Sequence, residues 1–332
     1  PIYTPFHLGG LVESFDPGTL GGASLFLGGA PARFDGGLSY ILDLQTRSPT
    51  REEFRGEAAA DLLTGRVLLE GPVPGGGLLL GSRMIHDLGT PALNRGDSPY
   101  GYQDLLFRGE WGEEEGAFGF VSGFWNQESV RLDLSEMAFA EEARWGNQAV
   151  AAGVAGDLGA TRGELRGAVS RYDAQLPVAD SLPLFARSRS DRVRITGDLS
   201  RPWGDGVVRV GFSVDGLTSD YLARGLDSLD ALVTSELALQ GSTGGLYAEV
   251  TRTLAPTLSF RGGLRLDRFS DGAGFRPAPR GCITWLLTES AALTLAAGRY
   301  HQFSTLSSGE VDRTLSAATE GLGPQRVTGH LA

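Results

Sequence analysis

From about residue 51 onward, apolar and polar positions alternate with a period of two. In residues 192–199, Val193, Ile195 and Leu199 fall on one side, and Arg192, Arg194, Thr196 and Asp198 fall on the other. Residues 207–214 place Val208, Val210, Phe212 and Val214 opposite Arg209, Gly211 and Ser213. Residues 258–267 place Leu258, Phe260, Leu264 and Leu266 opposite Ser259, Arg261, Gly263, Arg265 and Asp267. Side chains alternate across a strand, so each segment predicts a strand with one apolar and one strongly polar face. The pattern predicts strands near 54–63, 64–71, 76–86, 102–111, 116–126, 147–157, 161–172, 190–200, 206–216, 244–254, 257–268, 278–287 and 290–300, with a partial strand from 326. No stripe of helical period persists.

The predicted connections alternate in length. Residues 72–77, 111–116, 157–160, 201–206, 254–257 and 287–290 are short turns, while 87–101, 127–146, 173–189, 217–243 and 301–325 are long. Short turns at one end and long loops at the other are the signature of an outer-membrane barrel, and a tilted strand of about 9–11 residues spans a bilayer. The aromatics Trp111, Phe124, Trp125, Tyr172, Trp203, Phe269 and Tyr300 fall near strand ends, as an interfacial girdle would. A soluble sandwich or propeller also alternates. Arginine and aspartate in strand centres, the regular loop asymmetry, and small residues on the apolar faces favour a wall between lipid and a wet lumen.

Residues 1–50 have a different texture: short apolar runs separated by glycine turns. The stretch Leu25–Pro49 holds four glycines between two strand-like segments. The whole chain has 332 residues, 49 of them glycine, and a net charge of −11. That charge gives no basic stripe for nucleic acid. All 29 basic residues are arginine. Arginine suits ion pairs and stacking on a confined surface. The single cysteine, Cys282, excludes an intrachain disulfide. The histidines His7, His86, His301 and His330 form no metal motif. No nucleophile-elbow motif and no triad arrangement is present, so no enzyme, no catalytic residue and no cofactor is expected.

Residues 1–49 resemble the C-terminal half of the plug domain of TonB-dependent outer-membrane receptors. The matching pieces are Pro1–Pro5, Leu25–Phe34 with its "GGAPARF" turn, Gly36–Gly37, and Ile41–Arg47. The segments "GLYAEVTRTLAPTLSFRGGLRLDRF" and "LTLAAGRYHQF" are similar to barrel strands of the same family. The resemblance implies an all-β fold: a transmembrane antiparallel β-barrel with a partial plug domain, residues 1–50 as plug and 51–332 as barrel. Because about 13 predicted strands fall short of the 22 of these transporters, the chain reads as a fragment. In this family the plug glycines Gly28, Gly29, Gly36 and Gly37, with Arg33 and Phe34, shape a turn against the barrel wall. Glycine permits positive φ and close backbone approach.

The resemblance further implies a receptor in the Gram-negative outer membrane. It would import a scarce solute (an iron chelate, cobalamin, an oligosaccharide or a peptide) under the pull of the TonB complex. Its partners are then TonB, a small-molecule or oligomeric nutrient, and outer-membrane lipid. A passive porin-like channel is the alternative, and the plug-like N-terminus speaks against it. Candidate ligand contacts are Tyr3, Phe6 and His7 in a plug loop, and Tyr300, His301 and Gln302 on the barrel. Rings and an imidazole can stack on and hydrogen-bond to a solute. The apolar set Val193, Ile195, Val208, Val210, Phe212, Leu258, Phe260, Leu264 and Leu266 is expected to face outward. Arg194, Arg209, Arg261, Arg265 and Asp267 are expected to face inward.

Overall fold

A computed structural model of the chain describes residues 6–7, 12–13, 15–36, 40–86, 100–113, 116–130, 133–134, 137–138, 143–179, 184–226, 232–270, 274–302 and 325–328. Three small units come first. Strands β1 (Phe6–His7) and β2 (Val12–Glu13) pair antiparallel. A single 3-10 turn, Pro17–Thr19, is capped by Asp16, whose carboxylate accepts the Gly18 N–H at 2.9 Å. Strands β3 (Leu20–Phe26) and β4 (Ile41–Thr46) form an antiparallel hairpin, with Leu25 opposite Leu42.

The rest is one sheet. Its strands are β5 (Arg55–Ala60), β6 (Thr64–Val73), β7 (Gly76–Ile85), β8 (Tyr100–Gly112) and β9 (Phe118–Val130). A small separate hairpin, β10 (Asp133–Leu134) with β11 (Met137–Ala138), follows. The sheet resumes with β12 (Ala143–Leu158), β13 (Thr161–Ala179), β14 (Leu184–Pro202), β15 (Gly206–Leu226) and β16 (Leu232–Ala255). It ends with β17 (Leu258–Phe269), β18 (Arg276–Thr288), β19 (Ala291–Gln302) and β20 (Gln325–Thr328). These 14 strands pair in chain order, each antiparallel to the next. Among the described residues no pairing joins β5 to β20.

The two faces differ as the alternation predicts. Val193, Val214 and Leu246 are 54%, 51% and 54% exposed, whereas Arg265 and Asp267 on the other face are 1% and 4% exposed. Ile195, Val210, Phe212 and Leu264 also stand on the outer face. No second sheet covers them among the described residues. Such a face suits lipid, because a soluble fold would bury it.

Two expectations change. Residues 173–189 and 217–243 are mostly strand rather than loop. The β13–β14 register runs from Arg162–Ser200 out to Ala179–Leu184, and the β15–β16 register from Gly206–Arg252 out to Leu226–Leu232. With 21 and 24 residues, β15 and β16 overrun a bilayer span by about 10 to 15 residues. Beyond the lipid, the outer face turns polar. Arg171 pairs with Asp191 at 2.6 Å and Arg189 with Asp173 at 2.7 Å, so the ladder continues where the apolar rhythm stops. The aromatic girdle is also thinner than expected. Trp111 and Trp203 are exposed near the short turns, but Phe124, Tyr172, Phe269 and Tyr300 are buried.

Candidate functional site

The segment between β3 and β4 carries the most elaborate contacts to the wall. Gly28, Gly29 and Gly36 adopt φ of 97°, 60° and 65°, a region costly for any residue with a Cβ. Between them Pro31–Phe34 close a turn, with Phe34 N–H donating to the Pro31 carbonyl at 3.2 Å. Arg33 braces it, bonding Asp43 at 3.3 Å and lying 4.6 Å over the Phe34 ring. Gly37 lies outside the described residues.

The inner face of β14–β18 receives this turn by its main chain. Arg261 donates to the Gly29 carbonyl at 2.7 Å. Arg280 Nη1 donates to Pro31 O at 2.7 Å and to Phe34 O at 2.8 Å. Arg265 reaches Ala32 O at 3.4 Å, and Glu249 accepts the Ala32 N–H at 2.6 Å. Asp267 and Ser213 hold the Arg265 guanidinium at 2.6 and 2.7 Å. Close approach is built in: a Cβ at Gly263 would stand 2.8 Å from Ala32 Cβ, and one at Gly29 would stand 2.5 Å from Ala296 Cβ.

One side chain of the turn region joins this face. The Asp35 carboxylate meets Arg194 Nη1 at 2.9 and 3.0 Å and Arg192 Nη2 at 3.4 Å. Asp215, itself buried, holds Arg192 at 2.6 Å and Arg194 at 3.2 Å from behind. Burial pushes the Asp35 pKa up. The charge and hydrogen bonds of Arg194, with the charge of Arg192, outweigh it and hold the carboxyl well below its ordinary range.

A second set of contacts lies at the other end of the sheet. Here β4 and the segment after it supply the cation: Arg47 forks onto Glu70 at 2.6 and 2.9 Å. Ser48 donates to Glu110 at 3.2 Å, and Arg66 on β6 bonds Asp16 at 3.0 Å. Phe15 packs on the small core of Leu68, Leu79, Leu106 and Phe124, its ring centroid 4.8 Å from that of Phe124.

The sequence-derived ligand candidates are only partly brought together. Tyr3 and the side chains of Phe6, His7 and Gln302 lie outside the described residues; the backbones of Phe6 and His7 pair with Glu13 and Val12, and that of Gln302 with Gln325. Tyr300 and His301 are buried and turned to the arginines that hold the turn. Arg280 stacks 4.4 Å from the Tyr300 ring centre, and His301 Nδ1 lies 3.4 Å from Asp267 Oδ2. Arg192 was placed on a polar strand face but given no role, and Arg280, Glu249 and Asp35 were not singled out from the sequence. The inner-face positions of Arg192, Arg280 and Glu249 follow from the same alternation, but their partner, the segment of residues 31–35 about 160 to 250 residues earlier in the chain, does not.

A membrane-type antiparallel wall, apolar outside and polar inside, with a hairpin and turn held against its inner face, is the fold of TonB-dependent outer-membrane receptors. Solved structures of this kind resemble the chain. The siderophore receptor PirA from Acinetobacter baumannii superposes with a TM-score of 0.62 at 15% identity, over 84% of this chain and 47% of that one. The copper transporter OprC gives 0.64 at 14% identity, over 88% of this chain and 52% of that one. The outer-membrane transporter YddB from Escherichia coli gives 0.60 at 11% identity, over 90% and 50%. The chain therefore spans about half the length of the solved structures it matches. No family model and no curated protein matches it.

Proposed function

We propose that the chain belongs to an outer-membrane receptor that imports a scarce solute through a plugged barrel. Residues 1–50 would be plug and residues 51–332 wall. The observation that carries this reading is the turn at residues 29–35, gripped from the lumen side by Arg261, Arg265, Arg280 and Arg194. A passive channel has no use for an internal segment fastened across its bore. The solved relatives include siderophore receptors and a copper transporter, which makes metal chelates the first solutes to test.

In this reading Tyr3, Phe6 and His7 on the plug and Tyr300, His301 and Gln302 on the wall meet the solute. Tyr300 and His301 back Arg280 and the Asp267–Arg265 pair, so a solute that displaces either side chain would loosen the turn. The pull that withdraws the plug would come from TonB. The test is uptake of labelled ferric chelates, copper and cobalamin by cells that make the full-length protein, with and without TonB. TonB-dependent uptake of one of them is expected. Uptake of small solutes at equal rates in both strains would make the protein a passive channel instead.

A further inference from the structure

We infer that Arg192 and Arg194 form a transit site for a carboxylate-bearing solute, and that Asp35 occupies this site whenever the turn is docked. The inference rests on the importer reading and adds the chemistry of the cargo.

Three observations support it. The first is geometric. Two guanidinium groups converge on one carboxylate, at 2.9 to 3.4 Å, and Asp215 fixes both from the wall. The fork therefore keeps its shape when Asp35 leaves. Guanidinium forks match planar carboxylates in both charge and spacing.

The second is space. A cavity of about 250 Å³ opens beside both arginines, between the N-terminal hairpin and β9–β14. Phe15, Leu20 and Leu44 line one side, and small residues such as Ala149, Ala168 and Ser170 line the other. An anion held by the fork would have room there for an apolar body.

The third is charge. Around the turn the wall presents five arginines (Arg192, Arg194, Arg261, Arg265, Arg280) against four carboxylates (Asp198, Asp215, Glu249, Asp267). Arg261, Arg265 and Arg280 are met by neutral carbonyls of the turn, and Asp35 is the carboxylate the turn region brings to this face. Withdrawing the turn bares a net positive strip, in a chain whose own charge is −11. At the other end of the sheet the signs are mixed, with wall Glu70 facing hairpin Arg47 and wall Arg66 facing Asp16. Nε and Nη2 of Arg280 and the hydroxyl of Tyr300 are buried without a hydrogen-bond partner, so the strip already holds unused donors. A wall needed only to anchor a peptide turn could use uncharged donors. The surplus of cations fits an anionic cargo passing along β14–β18.

The test uses full-length protein purified in detergent, with 4-fluorobenzoate as probe and neutral 4-fluorobenzamide as control, both followed by fluorine NMR. Native protein is expected to bind the benzoate weakly. Asp35→Ala should bind it about tenfold more tightly, with no gain for the benzamide. Arg194→Gln in the Asp35→Ala background should remove the gain. Equal benzoate affinity in native protein and Asp35→Ala, or a gain that survives Arg194→Gln, overturns the inference. Heat-modifiable migration checks that each variant is folded, and Asp35→Asn takes the place of Asp35→Ala if the latter is not. The assay contains no TonB and requires no transport, so its outcome is independent of the uptake experiment.

Discussion

Arg47 and Glu70 meet as a fork, Nη1 to Oε2 at 2.6 Å and Nη2 to Oε1 at 2.9 Å, and the same carboxylate also accepts the Thr50 N–H at 3.0 Å. One wall residue thus clamps the chain where β4 gives way to the barrel. Glu70→Gln keeps an acceptor and loses the charge, so the hairpin should be weakened by about 1–2 kcal/mol. Arg47→Ala also removes the bond from its Nε to the Gly18 carbonyl and should cost more. Limited tryptic proteolysis of the full-length protein measures both, after Arg47 and Arg51 in Glu70→Gln and after Arg51 alone in Arg47→Ala. Cleavage rates equal to native would deny the clamp.

Gly29 is the tightest point of the turn. A methyl there would have to accept φ of 60° and overlap Ala296. Gly29→Ala should undock the turn while leaving the wall folded. Cys282, whose Cβ would lie 3.8 Å from that methyl, is the natural reporter. Its reaction with a maleimide should accelerate several-fold in Gly29→Ala, whereas Gly28→Ala, which carries the cost of positive φ but meets nothing within 4 Å, should change it less.

The Asp35 contact gives a signed pH dependence. Its pKa is lowered in the docked state, below an ordinary value of 3.8. The stabilisation is therefore fully present above about pH 4, and it is lost as pH falls through the lowered pKa. Hydrogen exchange of residues 29–35, corrected for intrinsic rates, should be unchanged from pH 8 to pH 5 and should rise only in stronger acid. In Asp35→Asn this acid rise should be absent. A rise already between pH 7 and pH 5 would place the titrating group elsewhere.

Ile195 and Ser200 lie on opposite faces of β14. Arginine at Ile195 would face hydrocarbon and should destabilise the wall by about 2–4 kcal/mol, while arginine at Ser200 would face the lumen at a small cost. Urea unfolding of the full-length protein in lipid vesicles compares the two. Equal costs would mean that the apolar face is not turned to lipid.

The wall was legible in the sequence because a strand has a fixed period of two, and each face meets one uniform solvent. Val193, Ile195 and Phe212 against Arg194, Arg265 and Asp267 therefore declared inside and outside from spacing alone. Legibility stopped where the solvent stopped differing. Beyond the bilayer the outer face of β13 and β14 is polar, with Arg171, Asp173, Arg187 and Arg189, so the apolar-outside rhythm stops and residues 173–189 looked like loop although their hydrogen-bond register continues. The aromatic positions show the same limit, since a strand-end ring reads alike whether it is exposed, as Trp203 is, or buried, as Tyr172 is. Glycines 28, 29 and 36 announced a turn, because positive φ leaves a compositional trace. What receives that turn was decided only by the tertiary structure. Arg261, Arg265 and Arg280 bind main-chain carbonyls, and a carbonyl is present at every residue, so the sequence carries no sign of which ones are met. Asp35 and Arg194, 159 residues apart, come together only because the curvature of fourteen paired strands folds one face of the sheet around the turn.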